Sequence, residues 1–353
     1  MTLPGFPGLS GYRATDHHFS SESASGSTAK HYSRYPPTLA NTTMIRTVFM
    51  GTPEIAVPSL QALLDHPDFH VVGVVTQPDR KAGRGRKLTP PPVKEAALAA
   101  GIPVILQPKR LHEPNAFETL AALQPDLIVV TAYGQILRPN VLALPKHGCV
   151  NVHASLLPRW RGASPITAAI LADDPLTGVT IMQMDEGMDT GPILSQQAEP
   201  IRPDDTTGSL SARLARLGAD LLIETLPCYL EGKIRPRPQP TEGVTICRLV
   251  KKEHARIDWT RPAAEIERMV RAYQPWPGAF TTWAGQPLKI GAASVAEGEA
   301  EPGRVIAWDK KVAVGTGQGL LIIEQAQLPG KKMLPIDAFL RGRPDFIGTR
   351  LGE

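Results

Sequence analysis

Asp126-Leu-Ile-Val-Val-Thr-Ala132 is a continuous apolar run without the polar alternation of a half-exposed strand, which is how a parallel strand buried on both faces reads. A second buried strand is predicted upstream over 45–50, and a third downstream in Cys149-Val-Asn-Val-His153. Around them the chain alternates. Further strands are predicted at 70–76, 104–106, 178–184 and 193–199, and helices from the 51–54 turn to about 64 and over 92–100, 114–123, 139–144, 165–172 and 207–230. Thr52 is expected to cap the first helix, with Pro53 at its first position. Alternating units of this kind build an α/β fold, a doubly wound and mostly parallel sheet with helices on both faces. Ligands of such sheets bind beyond the carboxyl ends of the strands.

The pattern changes after residue 230. Glu231-Gly-Lys-Ile-Arg-Pro-Arg-Pro-Gln-Pro240 reads as an extended linker because its prolines alternate. Beyond it lie one helix, 263–272, and short strands at 288–290, 303–307, 311–315 and 320–327, the signature of a small β-barrel. The expected organisation is a 44–231 catalytic domain, a 232–250 linker and a 251–353 C-terminal domain. Residues 1–43 are rich in Ser, Thr, Gly, Tyr and His and have no hydrophobic periodicity, so they read as a disordered extension. They are poor in acids, as an organellar import segment would be, but carry only Arg13, Lys30 and Arg34 as basic residues. Met44 stands directly before the first strand, which favours a mis-assigned start.

Hydrophobic residues at 42% and charged ones at 20% of 353 residues describe a soluble protein with ample core. The longest apolar run falls short of eighteen residues, so no membrane span is expected. Three dispersed cysteines, Cys149, Cys228 and Cys247, form neither a disulfide framework nor a zinc spacing and fit a reducing, cytoplasmic compartment. The net charge of +4 is too small to imply nucleic acid, but its placement is uneven. Residues 44–230 carry net −2, whereas 231–353 hold 19 basic against 14 acidic residues, net +5. A second basic concentration is Asp79-Arg80-Lys81-Ala-Gly83-Arg84-Gly85-Arg86-Lys87, read as a long flexible loop. Cations without interleaved aromatics suit phosphate contacts better than base stacking.

Asn151 and His153 are two residues apart at a strand end, so they share a face. Asp189 follows in Asp185-Glu-Gly-Met-Asp189-Thr-Gly191. An amide, an imidazole and a carboxylate suit a reaction that makes a tetrahedral oxyanion and moves one proton. The first strand–helix turn, Met50-Gly-Thr-Pro-Glu54, lacks the glycines that let a pyrophosphate approach, which argues against a dinucleotide enzyme. No Gly-x-Ser-x-Gly elbow is present, and Cys149, flanked by apolar residues, reads as core. His153 has no partner at metal spacing, so no metal is expected. Direct transfer to an amine through a tetrahedral intermediate remains.

Asn151-Val-His153-Ala-Ser-Leu-Leu-Pro-Arg-Trp-Arg-Gly162 resembles the signature of the folate-dependent formyltransferases, and Gln183-Met-Asp-Glu-Gly-Met-Asp189-Thr-Gly191 resembles their second catalytic segment. Further similar segments, among them Ala132-Tyr-Gly-Gln-Ile-Leu137 and Gln274-Pro-Trp-Pro-Gly278, extend the resemblance over about 44–353. It implies transfer of the formyl group of 10-formyltetrahydrofolate, a co-substrate, to the α-amine of methionine on initiator tRNA. By the same resemblance Asn151, His153 and Asp189 are the catalytic trio, and Ser155, Leu156, Leu157 and Pro158 line part of the folate pocket. Arg80, Lys81, Arg84, Arg86 and Lys87 would reach the acceptor end of the tRNA, and the C-terminal barrel resembles an OB-like domain that grips its body. A monomer is expected. The trio does not distinguish this acceptor from an amino-sugar nucleotide or a glycinamide ribotide, nor from water in a formate-releasing hydrolase; the two basic regions favour tRNA. An inert RNA-binding protein is the reading from another class, and the intact trio argues against it.

Overall fold

The computed structural model describes residues 44–82 and 87–353. The readings of 1–43, Arg84 and Arg86 lie outside the described residues. In chain order, β1 (Ile45–Gly51), α1 (Val57–Asp65) and β2 (Phe69–Val75) are followed by β3 (Arg80–Ala82) and β4 (Lys87–Thr89). Then come α2 (Pro92–Ala99), β5 (Ile105–Leu106), α3 (Pro114–Ala122), β6 (Leu127–Thr131), α4 (Pro139–Leu142) and β7 (Cys149–His153). The first part closes with β8 (Arg161–Gly162), α5 (Pro165–Leu171), β9 (Leu176–Gln183), β10 (Ile193–Pro200) and the long α6 (Thr207–Leu230).

Seven strands form one sheet in the order β10-β9-β7-β6-β1-β2-β5. The five strands from β5 to β7 are parallel, and β9 and β10 add an antiparallel edge. All five residues of β6 are buried, as expected of a strand covered by helices on both faces. Because β1, β6 and β7 run the same way, Gly51, Thr131 and His153 end at one edge of the sheet.

Two local expectations differ. Thr52 is not a helix cap. Pro53 leads into a short 3-10 turn, Glu54–Ala56, and the helix begins at Val57. The Thr52 hydroxyl instead donates to the Tyr133 carbonyl (3.0 Å) and accepts from the Gln77 N–H (3.3 Å), so it ties together the ends of β1, β2 and β6. The basic segment expected as a loop is flanked by paired strands, β3 against β4, with Arg80 opposite Thr89 and Ala82 opposite Lys87. Pairing satisfies backbone groups that a bare loop would leave to water.

The second sheet is antiparallel. It holds β12 (Phe280–Trp283), β13 (Gln286–Ala296), β14 (Val305–Trp308), β15 (Lys311–Gly315) and β16 (Leu320–Gln327), preceded by β11 (Ile246–Cys247) and α7 (Ala263–Ala272) and followed by β17 (Leu334–Pro335) and α8 (Ile336–Arg341). The path runs β12-β13-β16-β15-β14, with β17 on β16, as a curled half-barrel open between β12 and β14. Two register shifts near Ala292 bend the long β13. In its core Phe346 meets Trp283 and Phe339 edge-on, each with centroids 5.2 Å apart, and Trp283 and Phe339 are tilted to one another at 5.8 Å. The Thr207 hydroxyl donates to the Ala272 carbonyl (2.6 Å) and Arg271 to that of Asp205 (3.1 Å), fastening α7 to the start of α6.

Candidate active site

Strand β7 presents Asn151 and His153 at the edge where β1 and β6 also end, both nearly buried at 8% and 5% exposure. Asp189 arrives from the loop between β9 and β10. That loop is shaped by Asp185, whose carboxylate accepts from the Gly187 N–H (3.0 Å) and the Thr190 hydroxyl (2.7 Å). Asp189 takes a left-handed backbone, φ 53°, which an aspartate tolerates better than most residues. Its Oδ1 accepts from Asn151 Nδ2 (3.3 Å) and lies 3.7 Å from His153 Nδ1, and its Oδ2 accepts from the Gly162 N–H (2.8 Å). The three side chains separated by 38 residues of sequence therefore converge.

The imidazole is oriented by Trp160, not by Asp189. His153 Nε2 lies 3.0 Å from the Trp160 carbonyl oxygen, which can only accept, so Nε2 carries the proton. At 3.7 Å the carboxylate is beyond hydrogen-bond reach of Nδ1. Nδ1 is thus the ring nitrogen left to exchange a proton. Trp160 is held tightly. Its φ is 60°, its N–H donates to the Thr245 hydroxyl (2.8 Å) and its indole N–H to Asp174 (2.7 Å). Asp174 also accepts from Arg159 Nε (2.8 Å), and the guanidinium stacks 4.4 Å over the Trp160 ring.

The stretch Ser155–Pro158 is mostly turned inward. The Ser155 hydroxyl is fully buried and donates to the Arg159 carbonyl (2.6 Å). Leu157 packs on Met182 and Ile193, its N–H donates to the Thr180 hydroxyl (3.1 Å) and its carbonyl accepts from Gln196 (2.9 Å). Leu156 and Pro158 are the two half-buried members. Cys149 is core: burial pushes its thiol up to about 12, so it supplies no thiolate near neutrality. Arg80, Lys81 and Lys87 are exposed on the β3–β4 hairpin. The one acid of that segment, Asp79, is occupied by Lys94 (2.8 Å), which holds its carboxyl below the usual range, and Arg80, Lys81 and Lys87 have no carboxylate partner among the described residues.

Composition and spacing did not single out Gln239, Thr245 or the main chain of Trp160 and Gly162. The last two lie inside the quoted motif, but their backbone roles have no residue-type signal. The linker is not free: Ile246–Cys247 pairs in parallel with Arg161–Gly162, and Arg237 bridges Ile193. A cavity of about 470 Å³ adjoins the site, lined by Arg161, Thr190, Pro192, Gln239, Pro240 and Val244 among others.

Residues 45–226 match the family model for formyl transferases, and residues 249–344 match the model for the formyl transferase C-terminal domain. The chain belongs to the formyl transferase family. A methionyl-tRNA formyltransferase of Magnetococcus marinus is 52% identical to this formyl transferase over 87% of its chain and 98% of that protein. Among solved structures, an N-formyltransferase from Helicobacter canadensis, in complex with folinic acid and dTDP-3-aminofucose, superposes with TM-score 0.61 at 20% identity, over 81% of this chain and all of that one. HypX from Aquifex aeolicus in complex with tetrahydrofolic acid superposes with TM-score 0.58 at 19% identity over 86% of this chain, which spans about half of that protein, 48%. At those identities the two structures share the fold.

Proposed function

We infer that this formyl transferase moves the formyl group of 10-formyltetrahydrofolate to the α-amine of methionine esterified to initiator tRNA. The observation that carries the reading is the meeting of Asn151 and His153 with Asp189 at 3.3 and 3.7 Å, in a chain 52% identical to a methionyl-tRNA formyltransferase over 87% of its length. The reading includes a monomeric, cytoplasmic, bacterial-type enzyme.

The roles follow from the geometry. The amine nitrogen attacks the formyl carbon and its oxygen gains negative charge. One N–H of Asn151 faces Asp189, and the other is available to that oxygen. A preorganised donor of this kind is worth about 3 kcal/mol in the transition state. Collapse forms the amide to methionine and breaks the bond from the formyl carbon to N10 of the folate. The amine loses a proton and N10 gains one. Asp189, the anionic acceptor of the trio, takes the first, and His153 Nδ1, the ring nitrogen without a hydrogen, is placed to receive that proton and pass it on towards N10. Leu156 and Pro158 are the parts of the 155–158 stretch open to a folate. The β3–β4 hairpin follows β2 at the edge of the sheet where β7 ends, so Arg80, Lys81 and Lys87, with Arg84 and Arg86 between them in sequence, serve as phosphate contacts beside the reacting amine.

The test is incubation of the protein with 10-formyltetrahydrofolate and charged initiator tRNA, with an amino-sugar nucleotide, or alone. Formyl-methionine formed with tRNA supports the reading. Product only on the sugar, or formate released at equal rate without acceptor, overturns it.

A further inference from the structure

We propose that Gln239, in the segment joining the two sheets, is a positioning residue that fixes the catalytic carboxylate. Its Nε2 donates to the carbonyls of Asp189 and Gly191, each at 2.8 Å. Its Oε1 accepts from Arg161 Nε (3.0 Å) and Nη2 (2.7 Å). Both N–H groups and both lone pairs of the amide are therefore used. A flipped amide would set donors against donors and oxygen against two carbonyls, so this orientation is the one the surroundings allow.

The consequence concerns Asp189. Its backbone sits at φ 53°, a sparsely populated conformation that its neighbours help to hold. The Gly162 N–H holds the carboxylate end and Gln239 holds the carbonyl end, so the residue is clamped at both ends. Gln239 is itself fixed. Two residues before it, Arg237 exchanges both backbone hydrogen bonds with Ile193 (2.7 and 2.9 Å). Six residues after it, Thr245 accepts from the Trp160 N–H, beside the carbonyl that sets the His153 tautomer. One short stretch thus braces both catalytic loops. Nothing in the composition of a proline-rich linker announces this.

The inference rests on Asp189 serving formyl transfer. Gln239→Ala should lower kcat 10–100-fold and leave the KM values for formyl donor and tRNA within about threefold. Gln239→Glu should be no better, because a carboxylate would face two carbonyl oxygens. In an Asp189→Asn background, Gln239→Ala should cost less than threefold more, since the group it positions is already disabled. A lowering of stability alone would not produce that loss of additivity. Hydrogen exchange of the unliganded protein supplies a readout free of substrate: Gln239→Ala should speed exchange over 185–191. Unchanged exchange there, a kcat within twofold of the unmodified protein, or a fully additive double variant would overturn the proposal. Absence of formylation by the unmodified protein would instead count against the assigned acceptor, and the exchange result would still decide the role of Gln239.

Discussion

Asp189→Asn preserves shape and removes one charge, so its effect can be worked from three contacts. The carboxylate accepts from Gly162 N–H at 2.8 Å and from Asn151 Nδ2 at 3.3 Å, and faces His153 Nδ1 at 3.7 Å. An asparagine has one acceptor and one donor end. With its oxygen kept toward Gly162, its NH₂ points at the NH₂ of Asn151; turned over, it points at the Gly162 N–H. Either orientation sets donor against donor. A hydrogen bond to a charged acceptor is worth about 1.5–3 kcal/mol and a neutral one about 0.5–1.5, so folding should lose about 1–3 kcal/mol. The variant should remain folded, with Tm lowered by a few degrees.

Turnover should fall much further. The amide accepts no proton, a loss typically of 10²–10⁴, and Asn151, pushed aside, is a less well aimed oxyanion donor. These effects overlap, so we expect kcat lower by about 10³–10⁴, or about 4–5.5 kcal/mol of barrier. Single-turnover formylation of charged initiator tRNA at saturating formyl donor measures the step, and fluorescence titration measures folate binding, expected within threefold of the unmodified protein. A rate within threefold would refute the assignment of Asp189 as proton acceptor. A parallel collapse of folate affinity would make it a binding residue instead.

Gly162→Ala should disable the site through the backbone: at φ 115° an added Cβ collides with the Cys247 carbonyl, separating β8 from β11 and moving the N–H that holds Asp189. Gly101→Ala, at φ 69° with nothing within 4 Å, is the control; it should cost about 1 kcal/mol and spare activity, and equal activity of the two variants would be the contrary result. Asp205 feels burial, which raises its pKa, but hydrogen bonds from Arg213, the Arg202 N–H and Ser209 outweigh it and hold the carboxyl at about 2. A depressed folded-state value stabilises above the unfolded value near 3.8 and is lost as pH falls toward 2, so the unfolding free energies of the protein and Asp205→Asn from urea titration should differ at pH 6, on the order of 1–2 kcal/mol, and converge toward pH 2–3; a constant gap would contradict this. Replacing Arg80 and Lys87 together by Ala should raise the KM for tRNA at least tenfold, leave kcat at saturation unchanged, and reduce the slope of log KM against log salt by about 1–2; an unaltered slope would remove the hairpin from the tRNA interface.

The sequence by itself determined most of the elements and the residues on which the proposed chemistry rests. The helices over 207–230 and 263–272 and the strands over 149–153, 311–315 and 320–327 stand where the patterns put them, because a buried strand leaves a short apolar run and an amphipathic helix leaves a periodicity in the chain. Asn151 and His153 were legible because i and i+2 on a strand must share a face. Strand β12 and helix α8 were not legible, being short and owing their form to packing around Trp283, Phe339 and Phe346. Tertiary structure alone decided the electrostatic details: that the Trp160 carbonyl, not Asp189, sets the His153 tautomer, that Thr52 ties strand ends together, and that Gln239 from the linker holds Asp189. Those contacts join groups up to 81 residues apart, and most use backbone N–H and C=O groups that every residue carries, so the identity of the residue leaves no trace of them.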